Sequence, residues 1–319
     1  MKSPINLSVN LTYYCNFKCG FCYLTPEQLR DRQRLPLDLL EQRLDEVMAQ
    51  YEIHHVDLYG GEVMVLPKEY LFEVRDILHS RGIDDIVLVT NGSIMNEVTA
   101  CEDFDLTVSY DLSAREKSDQ VLSNLFMLDR PYTLLTLASR AFLDTVSVDD
   151  YVNELNMLNR MKCAEIKPYS TNQANQHRVS YKEYEDFVWA VITHPNRQFY
   201  FENRTQVKEA VEGVRNAYSD DHLYITPEGE FAVLEFDHKD HEFFLRMDSL
   251  HDYRNWCQVE RFRVEGNLFC GACPYKGNCL SEHLRDVKSL DNSCNGFRGL
   301  LDRWAEHAST TPTAPGDHP

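Results

Sequence analysis

Ile5, Leu7, Val9 and Leu11 alternate with polar residues, the period-two pattern of a half-buried strand. Leu37, Leu40, Leu44 and Val47 then recur at helical spacing, with Pro36 where a helix can begin. A short apolar segment from Ile53 to Tyr59 ends in Gly60-Gly61-Glu62. After Pro67, the residues Tyr70, Leu71, Val74, Ile77 and Leu78 share one helical face. Ile86 to Val89 has the composition of a buried strand and ends in Thr90-Asn91-Gly92. Leu106 to Ser109 predicts a strand ending in Ser109-Tyr110-Asp111, and a helix follows near 116–128. Tyr132 to Leu137 predicts another strand, ending in Ala138-Ser139-Arg140. A helix near 149–161 precedes Ala164 to Ile166, which runs into Lys167-Pro168-Tyr169-Ser170.

These are six β–α repeats in about 170 residues, and such alternation implies parallel βαβ units. With right-handed crossovers the units curl into a (β/α)6 partial barrel, whose chemistry sits at the C-terminal strand ends. A polar or glycine-rich tripeptide follows every predicted strand, so two independent patterns agree. An open doubly wound sheet is the structural alternative, because strand order is not written in the sequence. The fold class is therefore α/β, a (β/α)6 partial TIM barrel over 1–180, with a small cysteine-rich α+β extension over 221–307. Residues 181–220, with a helix at 181–193 and a poorly patterned polar stretch at 196–220, connect the two and are expected to face substrate. Leu223 to Phe236 predicts a β-hairpin around Pro227-Glu228-Gly229, and a short helix is expected near 297–307. The tail at 308–319 is expected to be disordered.

Composition narrows the function. The 319 residues are 43% hydrophobic and 11% aromatic, enough for a real core. The chain contains neither an apolar run long enough to span a bilayer nor a signal-peptide pattern, which predicts a cytoplasmic protein with no membrane association. A formal net charge of −19 weighs against nucleic acid as a partner.

Ten cysteines are many for a reducing compartment, where they serve metals more often than disulfides. They cluster at both ends. Cys15, Cys19 and Cys22 form C-x3-C-x2-C at the end of the first strand, and five more lie between Cys257 and Cys294. Three thiolates are one short of the four that close an iron–sulfur cube, so one iron would stay open. A zinc site with His54 or His55 folded over the trio is the bland alternative. Cys270, Cys273 and Cys279 form C-x2-C-x5-C, with Cys294 beyond; four thiolates suit either a tetrahedral zinc or a fully ligated [4Fe–4S] cluster. Cys101 and Cys163 read as buried small hydrophobes.

The C-x3-C-x2-C trio with an aromatic before its third cysteine, followed by Gly60-Gly61-Glu62, resembles the radical S-adenosylmethionine (SAM) enzymes. The resemblance implies a [4Fe–4S] cluster on Cys15, Cys19 and Cys22, with SAM chelating the open iron. Its reductive cleavage gives a 5′-deoxyadenosyl radical that takes a hydrogen from substrate. Gly60, Gly61 and Glu62 match the motif that engages the SAM amino group, although Val63 stands where proline often follows. The resemblance further places Tyr23 beside the adenine, Ser109 and Asp111 near the ribose, and Arg140 against the SAM carboxylate. Asn91, Lys167 and Tyr169 fall at strand ends that line the same pocket.

The C-terminal cysteines resemble the SPASM extension or the shorter twitch extension. This implies one auxiliary [4Fe–4S] cluster on Cys270, Cys273, Cys279 and Cys294. His283 stands where the full pattern has a further cysteine, and Cys257 is left from an upstream pair; both are expected to be spare or structural. The implied function is redox modification of a peptide side chain in natural-product maturation, with an external electron donor such as flavodoxin or ferredoxin. Oxidation or rearrangement of a small-molecule precursor is the alternative, and a zinc-stabilised binding protein is the alternative from another class. No acid–base residue is assigned; Glu62, Tyr169 and His177 are the nameable candidates.

Overall fold

The computed structural model describes residues 2–169, 179–218, 220–237, 242–281, 294 and 296–310. The nine strands are β1 Ser3–Thr12, β2 Tyr51–Gly60, β3 Ile86–Thr90, β4 Asp105–Ser109, β5 Tyr132–Ala138, β6 Met161–Pro168, β7 His222–Ile225, β8 Phe231–Asp237 and β9 Glu242–Met247. The helices are α1 Leu37–Gln50, α2 Lys68–His79, α3 Glu97–Ala100, α4 Ser118–Met127, α5 Arg140–Thr145, α6 Val148–Asn156, α7 Tyr181–Ile192, α8 Glu202–Glu212, α9 Leu250–Gly266, α10 Leu268–Gly271 and α11 Arg298–Thr310.

All the strands lie in one sheet, ordered β6-β5-β4-β3-β2-β1-β7-β8-β9. Strands β1 to β6 pair in parallel in chain order, as five successive crossovers require. This is the expected partial barrel. Ile5, Leu7, Val9 and Leu11 point to the helix-covered side and join Leu40, Leu44, Leu71 and Val74 in the main core. The alternate residues Ser8, Asn10 and Thr12 therefore line the inner face of the sheet.

Beyond β6 the predicted hairpin exists, with Tyr224 opposite Ala232, and β7 adds in parallel to β1. Strands β7, β8 and β9 thus continue the same sheet, ahead of the cysteine-bearing helix α9. Leu223 and Ile225 are fully buried in the main core, which anchors β7 there. The stretch 196–220 carries α8, whose apolar positions Val207 and Ala210 are too sparse to announce a helix. Helix α11 runs on to Thr310. Residues 311–319 of the expected tail, and His177 and His283, lie outside the described residues.

Candidate active site

The cysteine loop is held by the end of β2. Gly61 N–H donates to the Thr12 carbonyl at 2.8 Å, and Glu62 N–H donates to the Tyr14 carbonyl at 2.9 Å. Gly60 adopts φ +154°, and a Cβ there would stand 2.1 Å from the Thr12 oxygen. A Cβ on Gly61 would stand 2.2 Å from the Tyr13 oxygen and 2.4 Å from that of Tyr14. Two glycines are needed because the backbone entering the loop passes where side chains would begin.

Glu62 is 1% exposed. Its Oε1 accepts from Met64 N–H at 2.9 Å and Thr90 Oγ1 at 2.7 Å, and its Oε2 accepts from Asn91 N–H at 2.6 Å. Burial raises its pKa, while these donors work the other way. The carboxylate thus ties the β2 end to the β3 end and keeps about one acceptor position for a ligand. Asn91 continues the lattice: its Nδ2 donates to Asn16 Oδ1 at 2.9 Å and reaches Cys15 Sγ at 3.9 Å. Asn16 Nδ2 donates in turn to Ser93 Oγ at 2.8 Å.

Cys15, Cys19 and Cys22 lie close enough to act on one another electrostatically, and Glu62 acts on Cys15. Burial pushes the Cys15 thiol up to about 12 and that of Cys22 up to about 11. Among the described residues no three His, Cys, Asp or Glu side chains converge on one metal ion. A single zinc gathers its ligands within about 2.3 Å of one point, whereas a cube puts each thiolate on a different iron and spaces them more widely. Neither histidine folds over the trio. His55 bonds to Asp57 at 3.1 Å and Asp85 at 3.0 Å, towards the start of β2, while His54 is exposed beside Glu52.

The remaining expected pocket residues divide. Tyr169, at the end of β6, is 4% exposed, packs with Phe21 and interacts with Cys22; its hydroxyl has no hydrogen-bond partner. A buried orphan hydroxyl beside the trio suits a ligand-lining role. Tyr23 is half-buried at the loop, edge-on to Phe244 at 6.0 Å. Ser109 closes β4 opposite Leu135, on the inner face. Lys167 pairs with Glu165 at 2.9 Å on the same face.

Asp111 is 0% exposed and is an internal brace. Its Oδ1 accepts from Leu137 N–H at 2.7 Å and its Oδ2 from Arg115 Nε at 2.8 Å. Arg140 is the first residue of α5 and ion-pairs with Asp144 at 3.1 Å and with Glu183 of α7 at 2.8 Å. The cation that faces the trio is Arg115, which acts on Cys19 and Cys22 and lies 5.3 Å from the Phe21 ring centroid. Its one signal in the sequence is the i,i+4 spacing from Asp111.

A second cysteine site stands apart. Cys270, Cys273, Cys279 and Cys294 line one cavity, with Lys276 and Arg298 at its wall. Asn267 Oδ1 caps α10 by accepting from Phe269 N–H at 2.9 Å and Cys270 N–H at 3.0 Å. Cys273 N–H then donates to the Cys270 carbonyl at 3.0 Å, which turns the two thiols to one side. A Cβ on Gly296 would stand 2.7 Å from Cys279 Sγ, so glycine leaves the cavity open. Four thiols, a cradle without a side chain and two nearby cations fit an anionic thiolate cluster. Cys257 is not part of it; burial and the Tyr253 hydroxyl define its surroundings.

Comparisons with known proteins agree with this geometry. Residues 9–108 match the Radical SAM superfamily. The probable GTP 3′,8-cyclase of Sulfurisphaera tokodaii is 32% identical over 95 residues, 30% of this chain and 29% of that protein. The S-adenosylmethionine-dependent nucleotide dehydratase RSAD2 of Oncorhynchus mykiss is 22% identical over 205 residues, 58% of each. The chain thus spans less than a third of the length of the cyclases it matches. Among solved structures, native anSMEcpe with bound AdoMet aligns with a TM-score of 0.70 at 13% identity, over 96% of this chain and 97% of that one. Streptococcus suis SuiB bound to the precursor peptide SuiA aligns with a TM-score of 0.62 at 15% identity, over 91% of this chain and 74% of that one. No helix among the described residues is long and apolar enough to cross a membrane. Residues 9–108 thus match a radical SAM domain, and the chain as a whole shares the fold of anSMEcpe.

Proposed function

We propose that this protein is a radical SAM oxidoreductase that modifies a peptide side chain and carries one auxiliary [4Fe–4S] cluster on Cys270, Cys273, Cys279 and Cys294. The observation that carries the redox part is the gathering of those four thiols around one cavity whose floor is the bare Cα of Gly296. Bound at the Cys15, Cys19 and Cys22 cluster, SAM supplies a 5′-deoxyadenosyl radical on reduction by an external donor such as a flavodoxin or ferredoxin. The chain's own part is positional. Gly60 and Gly61 set the cysteine loop against β1, and Glu62 and Asn91 lock it to β3. Arg115 offsets negative charge at Cys19 and Cys22. Phe21, Tyr23 and Tyr169 exclude water around the loop.

The peptide reading rests on the inner face of the sheet and on the SuiB likeness. Asp57 and Glu165 lie on that face and are ion-paired with His55 and Lys167. A nucleoside triphosphate there would compete with these pairs, whereas an uncharged peptide would leave them intact. The test is reduction of the reconstituted protein with SAM and deuterated peptides. The reading predicts 5′-deoxyadenosine carrying label from a peptide side chain. Label transfer from GTP or another small molecule, with none from any peptide, overturns the substrate class.

A further inference from the structure

Two layers of polar side chains lie on the inner face below the cysteine loop, and they differ. The lower one is closed on itself. Ser8 Oγ bonds to Asp57 Oδ2 at 3.3 Å and shares a 2.7 Å hydrogen bond with His222 Nε2. Asp57 bonds to His55, and His55 to Asp85. Each of these groups has a partner.

The layer above holds Asn10, two residues after Ser8 and opposite Tyr59 in the β1–β2 register. Asn10 is 0% exposed, yet neither Nδ2 nor Oδ1 makes a properly aligned hydrogen bond. The Tyr59 hydroxyl is near enough to interact with the amide. Even with that contact credited to Nδ2, Oδ1 has no donor. Tyr59 packs edge-on to Tyr224 at 6.2 Å, and His222 lies against the other side of Tyr224 at 4.9 Å. An aromatic wall thus flanks a buried amide that presents one unused acceptor and at least one unused donor.

An unpaired buried amide costs about 1–3 kcal/mol. A leucine of nearly the same shape would avoid that cost. The position lies between the closed lower layer and the cysteine loop, on the face where substrate must approach the trio. Asparagine there matches a group that both donates and accepts in one plane. Tyr59, beside Asn10 on the neighbouring strand, is only partly buried.

We infer that Asn10 is a substrate-recognition residue that pairs with the backbone N–H and C=O of one substrate residue, which displace the Tyr59 hydroxyl and hold the substrate beneath the cluster loop. The inference deepens the peptide reading and rests on it. The probes are radiolabelled N-acetylalanine N-methylamide and the depsipeptide O-acetyllactic acid N-methylamide, in which an ester oxygen replaces the alanine N–H. Their binding to the reconstituted, SAM-loaded protein is measured by equilibrium dialysis, beside the thermal midpoint of each variant. The amide is expected to bind wild type about fivefold more tightly than the depsipeptide ester. Asn10→Leu is expected to lose that preference and to melt no lower than wild type. A structural asparagine would give the opposite: a lower midpoint and an unchanged preference. Equal affinity of the two probes for wild type, no binding of either, a preference retained by Asn10→Leu, or a lower midpoint in that variant each overturns the inference. Iron content and 5′-deoxyadenosine formation report on the radical reading separately, so the subsite can fail while that reading stands.

Discussion

A methyl group on Gly61 would press on two backbone oxygens at once, those of Tyr13 and Tyr14, and backbone cannot swing aside. Gly61→Ala is therefore expected to cost about 2 kcal/mol or more, measured by urea unfolding, and to lose the iron of the first cluster. Unchanged stability would show that the loop does not depend on that approach. Gly296→Ala meets a softer neighbour, Cys279 Sγ at 2.7 Å. It is expected to fold and to lose the auxiliary irons alone, about four of eight. Arg115→Gln leaves the fully buried Asp111 without its cation and is expected to destabilise by about 3 kcal/mol. At this scale the cysteines and the glycine pair were legible because their chemistry is a matter of residue type and spacing. Arg115 and Asn10 were not. An arginine is made a site residue by what it faces, and an asparagine by what it fails to bond; neither is written in a one-dimensional pattern. Nor does the strand-end position of Arg140 announce its ion pairs with Asp144 and Glu183.

Strand β2 is tied to the start of β3 by a histidine. His55 is pushed up to about 9, foremost by its hydrogen bond to Asp57, against burial and with help from Asp85. Its folded pKa lies above the ordinary 6.5, so its contribution is complete below pH 6.5 and is lost as pH rises through about 9. A partly exposed group of this kind contributes on the order of 2 kcal/mol. Wild-type stability is thus expected to fall between pH 7 and 9.5 more steeply than that of His55→Asn, read from urea midpoints across the range. Parallel slopes would remove the histidine from that role. Strands β1 to β6 were legible because each alternation ends in a turn signal and a helix follows. The place of β7 was not, because pairing with β1 is a contact over more than 200 residues and its four residues fit any sheet edge. Helix α8 was missed because its exposed face is polar and its buried face is narrow.

The whole molecule joins a barrel sheet extended by three strands to a cysteine cavity on the following helices. The extension leaves no boundary at 220/221, since β7 buries Leu223 and Ile225 in the same core as β1. Core and cysteine region are linked directly by Ala217 N–H donating to the Gly277 carbonyl at 3.0 Å and Asn278 Nδ2 to that of Gly213 at 3.1 Å. The central claim is that the two cysteine sets hold two separate cubes. The direct measurement is iron, sulfide and zinc per chain after anaerobic reconstitution, on wild type and on two triple variants. Wild type should hold about eight irons with matching sulfide, and Cys15/Cys19/Cys22→Ala and Cys270/Cys273/Cys279→Ala about four each. Stoichiometric zinc with no iron, or a full eight irons surviving in either triple variant, would contradict it.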